Sequence, residues 1–235
     1  MPARQTIEHS ETGVRTEGVT LPGDLAMPPK PCGVVVFAHG SGSSRLSPRN
    51  RFVAEQLNDA GLATLLFDLL TAEEHAVDEQ TRELRFNIPL LAQRLTGAVD
   101  WLSNYHPTEE LNFGLFGAST GAAAALITAS QRPQRIKAVV SRGGRPDLAD
   151  EALPEVHAPT LLIVGGQDTT VIELNRKAAD SLRSDHVIEN VPGATHLFEE
   201  PGALEECARL ASEWFDRYLW AAAVESRQEN GSVRY

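Results

Sequence analysis

The chain has 235 residues, 42% apolar and 23% charged, a composition that can bury a core and fits neither a disordered chain nor a membrane protein. Its 21 Lys and Arg against 32 Asp and Glu give a formal charge of −11. The mean field therefore repels phosphate backbones and anionic lipid, and neither nucleic acid nor membrane is expected as a partner.

The opening segment, MPARQTIEHSETG, lacks the apolar run of a secretory signal, so a cytoplasmic location is expected by default. Segments 18–21 and 25–27 flank a Pro22-Gly23-Asp24 turn and can add an antiparallel edge. Beyond them, short apolar runs recur at Gly33–Ala38, Ala63–Phe67, Asn112–Phe116, Ala138–Ser141, Thr160–Val164 and His186–Val191. The first five are apolar nearly throughout rather than alternating, as expected of strands covered on both faces in a parallel sheet.

Helical patterns lie between these runs. Ser47-Pro48 reads as an N-cap with proline in the first helical position, and the pattern continues through Phe52, Val53 and Leu57 to a stop at Gly61. Residues 87–105 place Leu91, Leu95, Val99 and Leu102 on one face. Further helices are expected over 122–130, 172–182 and 204–224. Strand-helix alternation of this kind predicts a doubly wound, mostly parallel sheet with helices on both faces. The length suits a single domain over 1–235, with a core of about 17–220 and a solvated tail from 226.

Chemistry in such sheets gathers at the carboxyl ends of the strands. There the sequence places Gly117-Ala118-Ser119-Thr120-Gly121, directly after one predicted strand and before an alanine-rich helix. A nucleophile on a sharp strand-to-helix turn needs small neighbours, and the helix N-terminus behind it offers unpaired N–H groups to an oxyanion. Asp168, in Gly165-Gly166-Gln167-Asp168, follows another strand end; it can orient an imidazole or cap the next helix. His196 lies in the glycine-containing loop after the last strand and completes the chain order Ser, Asp, His. The loop His39-Gly40-Ser41-Gly42 after the first parallel strand can supply a second oxyanion N–H from Ser41, with Thr120 giving the other. His39 suits a loop-fixing hydrogen bond better than the part of a base.

These four segments together resemble the α/β-hydrolase superfamily, in its dienelactone hydrolase-like branch, over roughly residues 17–220. The resemblance implies a serine hydrolase in which Ser119 is the nucleophile, His196 the base and Asp168 its orienting acid. It implies small carboxylic esters, thioesters or lactones as substrates. Dienelactone hydrolases proper carry cysteine at the elbow, whereas Ser119 resembles the serine esterases and peptidases of the superfamily. Many members insert a lid after the strand that follows the elbow helix. Only about 26 residues separate Ser141 from Asp168, which leaves no room for a cap domain.

No cofactor is expected, and the scattered histidines and two distant cysteines, Cys32 and Cys207, show neither metal-ligand spacing nor a disulfide signature. Arg45, or alternatively Arg142, can bind a carboxylate or phosphate of the substrate through a planar fork; the competing reading is internal pairing, with the segment 71–75 as a source of partners. Segment 70–87 is long for a connection and can either fold over the site as a small lid or make a surface excursion with a short helix. A peptidase or amidase using the same residues, or a ligand-binding protein that has kept only the fold, are the rival readings. Charge and composition leave monomer and homodimer both open.

Overall fold

The computed structural model describes residues 6–220. It contains one eight-stranded sheet in the order β1-β2-β4-β3-β5-β6-β7-β8. The strands are β1 (Glu8–Thr16), β2 (Val19–Met27), β3 (Val34–Ala38), β4 (Ala63–Phe67), β5 (Phe113–Ala118), β6 (Ile136–Arg142), β7 (Thr160–Gly165) and β8 (His186–Val191). β1 and β2 are antiparallel to their neighbours, and the six strands from β4 to β8 run parallel.

Alternation along each strand divides the core in two. From β3, Val34, Val36 and Ala38 join one cluster, while Val35 and Phe37 join the other. The first cluster packs under α3 (Ile88–Ser103) and α4 (Thr120–Gln131) through Leu91, Leu95, Val99 and the buried run Ala123–Leu126. The second packs under α1 (Pro48–Asp59) and α6 (Ala203–Phe215) through Val53, Leu57, Ala208, Ala211 and Phe215. Both faces are thus covered, which is why the central strands are apolar throughout. The alanines of α4 let it approach the sheet closely, and its Thr128 hydroxyl meets that of Thr96 on α3 at 3.0 Å. Two more helices, α2 (Ala72–Thr81) and α5 (Thr169–Ala179), lie in the connections after β4 and β7.

The structure corrects the N-terminal reading. The hairpin turns at Glu17 and Gly18, both at positive φ (46° and 76°), the geometry of the tight turns that match strand twist. Pro22, Gly23 and Asp24 lie inside β2, opposite Gly13, Thr12 and Glu11. β1 escaped the sequence reading because its residues are mostly polar and exposed. Pro22 has no N–H to donate, and its carbonyl accepts the Asp68 N–H at 3.0 Å. At the other end, α6 stops at Phe215 and a π-turn covers Asp216–Trp220. The expected extension of this helix to 224 and the tail from 226 fall outside the described residues. Between β6 and β7 only the 3₁₀ stretch Pro146–Glu155 intervenes, so among the described residues no large cap covers the sheet.

Candidate active site

The strand β5 runs straight into Ser119, whose backbone sits at φ 51° and ψ −121°. L residues rarely adopt such a conformation, and it costs roughly 1–3 kcal/mol. Surrounding hydrogen bonds hold it: Ser119 N–H donates to the Arg142 carbonyl at 3.2 Å, and the Ser119 carbonyl accepts from Arg145 and Ala122 at 3.0 and 3.1 Å. The flanking glycines are required here. A Cβ on Gly121 would enter the Ala38 carbonyl, and one on Gly117 would enter the Ala122 backbone.

Asp168 and His196 meet across two loops that pack backbone against backbone. Gln167 N–H donates to the Ala194 carbonyl at 2.9 Å, and Gly166 N–H to the Val191 carbonyl at 2.9 Å. The Asp168 Oδ2 then lies 2.7 Å from His196 Nδ1. Its other oxygen, Oδ1, accepts the Val171 N–H at 3.4 Å and caps α5. The two readings of Asp168, helix cap and imidazole partner, therefore coexist, one on each oxygen. Asp168 is shielded and His196 is 40% exposed, so the imidazole faces the open rim.

Ser119 and His196 both approach the segment Arg142-Gly143. The Arg142 carbonyl accepts the Ser119 N–H, and a Cβ on Gly143 would stand 3.0 Å from the His196 carbonyl and 3.6 Å from its Nδ1. Among the described residues no hydrogen bond joins Ser119 to His196. In unliganded sites such catalytic contacts are commonly long and tighten when substrate binds. Gly143 (φ 50°) and the buried Phe198 (φ 57°) shape this side of the rim. Neither was singled out from the sequence, although the pair Gly143-Gly144 is a signal of close backbone approach.

On the opposite side, Gly40 packs against the elbow, where a Cβ would lie 3.1 Å from the Ser119 Cβ. The Ser41 and Thr120 N–H groups have no acceptor among the hydrogen bonds of the described residues. His39 fixes the loop. Its Nε2 accepts the Leu69 N–H at 3.1 Å and its Nδ1 lies 3.0 Å from the Gly40 carbonyl. Those bonds define the neutral tautomer protonated on Nδ1, and burial pushes the His39 pKa down.

The arginines are arranged otherwise than expected for anion recognition. Arg45 closes its fork on internal carboxylates, with Nη1 at 2.6 Å from Asp68 and Nε at 3.6 Å from Asp24. Arg49 and Arg51 pair with Glu199 and Asp24. The acid of segment 71–75 that does form an ion pair, Glu74, reaches Arg94 at 2.8 Å and Thr71 N–H at 2.8 Å instead. Arg142 turns inward, buried against Asn50 Oδ1 at 3.3 Å and the Phe198 ring at 6.0 Å. Burial, with the nearby Arg49 charge adding, pushes its pKa down. Arg45 therefore offers no open fork to a substrate, whereas Arg142 is buried with its Nη1 unpartnered among the described residues. Cys32 and Cys207 are free thiols, and burial pushes the Cys207 pKa up to about 12, which keeps it protonated and inert.

Comparison with known proteins follows this geometry. Residues 21–225 match the model of the dienelactone hydrolase family. A dienelactone hydrolase structure from Anabaena variabilis is 57% identical, covers 91% of this chain and 99% of its own, and superposes with a TM-score of 0.89. Est1E from Butyrivibrio proteoclasticus shares the fold at a TM-score of 0.73 over 87% of this chain and 97% of its own, with 17% identity. Proteins from two Mycobacterium tuberculosis strains, bearing the name "Putative phosphoribosyl transferase", are 54% identical over 91% of this chain. This chain spans about half their length, 47%. With the family model matched over residues 21–225 and a relative 57% identical over 91% of the chain, the chain belongs to the dienelactone hydrolase family.

Proposed function

We propose that the chain is a serine hydrolase acting by acyl transfer on small carboxylic esters, thioesters or lactones. Ser119 Oγ attacks the carbonyl carbon while His196 Nε2 takes its proton. Asp168 holds the imidazole through Nδ1–H and stabilises the imidazolium that forms. The carbonyl oxygen, now an oxyanion, is held by the Ser41 and Thr120 N–H groups beside the N-terminus of α4. The tetrahedral intermediate collapses, the carbonyl–leaving-group bond breaks, and His196 returns the proton to the departing alcohol or thiol. Water then repeats the sequence on the acyl-Ser119 ester and releases the acid.

The observation that carries this reading is the 2.7 Å Asp168–His196 contact on the same rim as a serine held at positive φ. Hydrolysis of p-nitrophenyl acetate tests it. Ser119→Ala is expected to lower kcat by about four to six orders of magnitude, as when a triad nucleophile is removed. Near-normal turnover in that variant would contradict the assignment, whereas a parent protein without turnover would favour the ligand-binding rival. Matched ester and amide substrates separate an esterase from an amidase, since only the latter must protonate a poor amine leaving group. The name carried by the mycobacterial relatives belongs to proteins about twice the length of this chain. For the region shared with them, the Ser119 geometry supports acyl transfer.

A further inference from the structure

A cavity of about 400 Å³ opens beside the elbow, between the loop after β3 and the 70–87 excursion. This volume falls within the size range of small-molecule sites. Its wall includes Gly40, which packs on Ser119, and Ser41, which carries a candidate oxyanion N–H. Segment 70–87 forms the far side: α2, with its Thr71–Glu74 capping box, is followed by a 3₁₀ turn at Leu84–Phe86.

The charges on that wall are already matched. Arg45 is bound to Asp68 through both its guanidinium and its backbone N–H, at 2.6 and 2.8 Å. Arg85 binds Asp78 through Nε at 2.6 Å, through its backbone N–H at 2.9 Å, and through Nη2 to the Asp78 carbonyl at 3.1 Å. His39 has both ring nitrogens engaged, and the half-exposed His75 faces Glu79 at 3.7 Å. An incoming carboxylate or phosphate would compete with Asp68 and Asp78 for their arginines and meet the field of the displaced acids. The remaining surface is predominantly apolar, with Leu46, Leu69, Leu70 and Leu91 contributing. An uncharged hydrocarbon group gains from entering such a wall, and a charged one loses its hydration.

We propose that this cavity receives the acyl group of the substrate and selects uncharged apolar acyl chains over chains ending in a carboxylate. The proposal rests on the acyl-transfer reading above and names its substrate class. Selection arises because the two arginines of the cavity wall, Arg45 and Arg85, are already paired with Asp68 and Asp78, and the leaving group departs toward the open rim where His196 lies.

Three esters with one leaving group test it: p-nitrophenyl acetate, p-nitrophenyl hexanoate and the mono-p-nitrophenyl ester of adipic acid. The protein is expected to favour hexanoate over acetate by about tenfold or more in kcat/KM, and hexanoate over the adipate monoester by a similar factor. Ala72→Trp, at the start of α2 on the cavity wall, should bring the hexanoate-to-acetate ratio down to about one. An inactive fraction lowers both rates together and cancels in that ratio. The proposal is overturned if the adipate monoester equals or exceeds hexanoate, or if Ala72→Trp leaves the ratio where it was. Turnover of acetate without chain selection would sink the cavity assignment alone, whereas no turnover of any ester would sink the acyl-transfer reading with it.

Discussion

Two carboxylates on the same rim make the same kind of contact to different ends. Asp168 meets His196 at 2.7 Å and Asp78 meets Arg85 at 2.6 Å. The first pair is open, with its base 40% exposed; the second is tied down, its acid only 3% exposed and held by two Arg85 donors. Burial pushes the Asp78 carboxyl up, but the Arg85 hydrogen bonds outweigh it and hold the pKa below the ordinary carboxylate range. An imidazole can accept and release a proton at neutral pH, whereas a guanidinium stays charged. Under the proposed function one ion-pair geometry serves proton transfer at His196 and shape at Arg85, and the rim divides into a proposed chemical side and a walled side.

Asp168→Asn breaks this comparison most sharply. Asparagine caps a helix about as well as aspartate, so the melting temperature should stay nearly constant. The imidazole loses its anionic partner, and kcat should fall by about 10⁴. Equal losses of stability and activity would mean that Asp168 acts mainly as the cap of α5. Gly121→Ala comes next. Its methyl group must push the end of β3 away, so about 1–3 kcal/mol of stability should be lost by urea denaturation, and activity should drop by about a hundredfold as the oxyanion loop shifts. A variant indistinguishable from the parent would show that the elbow yields without cost.

On the walled side, Arg85→Ala leaves the buried Asp78 carboxylate without its partner and should cost about 1–3 kcal/mol in urea denaturation. An unchanged midpoint would demote the pair to decoration. The Asp78 contribution is present above the unfolded carboxylate value of 3.8 and disappears as pH falls through the lower folded value. His39 gives the smallest effect, in a different window. Its folded pKa is depressed, so below its unfolded value of 6.5 the unfolded chain takes up a proton that the native loop refuses. Stability should fall as pH drops below that value, and His39→Asn should flatten the decline of the urea midpoint between about pH 7 and about pH 5. A slope unaltered by the substitution would assign the decline to other groups.

The central strands, and with them the positions of the loops at their carboxyl ends, were legible because burial on both faces writes a continuous apolar run that ends abruptly at a glycine or a polar turn. Ser119 and Asp168 stand just past such ends, whereas His196 follows the polar edge strand β8 and was picked out by its place in the chain order Ser, Asp, His. The hairpin was misread for the complementary reason: the polar edge strand β1 leaves little apolar pattern, and Pro22-Gly23-Asp24 is a turn signal that tertiary pairing overrides. The arginine cluster showed that cations near the N-terminus of α1 need anions. It did not reveal which, because Asp24 and Asp68 reach Arg45 only once β2 and β4 lie side by side. Likewise the Asp78–Arg85 lock depends on the left-handed turn at Arg82 (φ 60°), which no spacing rule anticipates.

The proposed acyl transfer depends on Ser119 being an activated nucleophile, and covalent labelling measures that most directly. Incubation with a fluorophosphonate, followed by intact-mass and peptide-mass analysis, should give one adduct per chain located on Ser119, absent in Ser119→Ala and formed far more slowly in His196→Ala. A chain that stays unmodified under those conditions, or carries its adduct on another residue, would contradict the account.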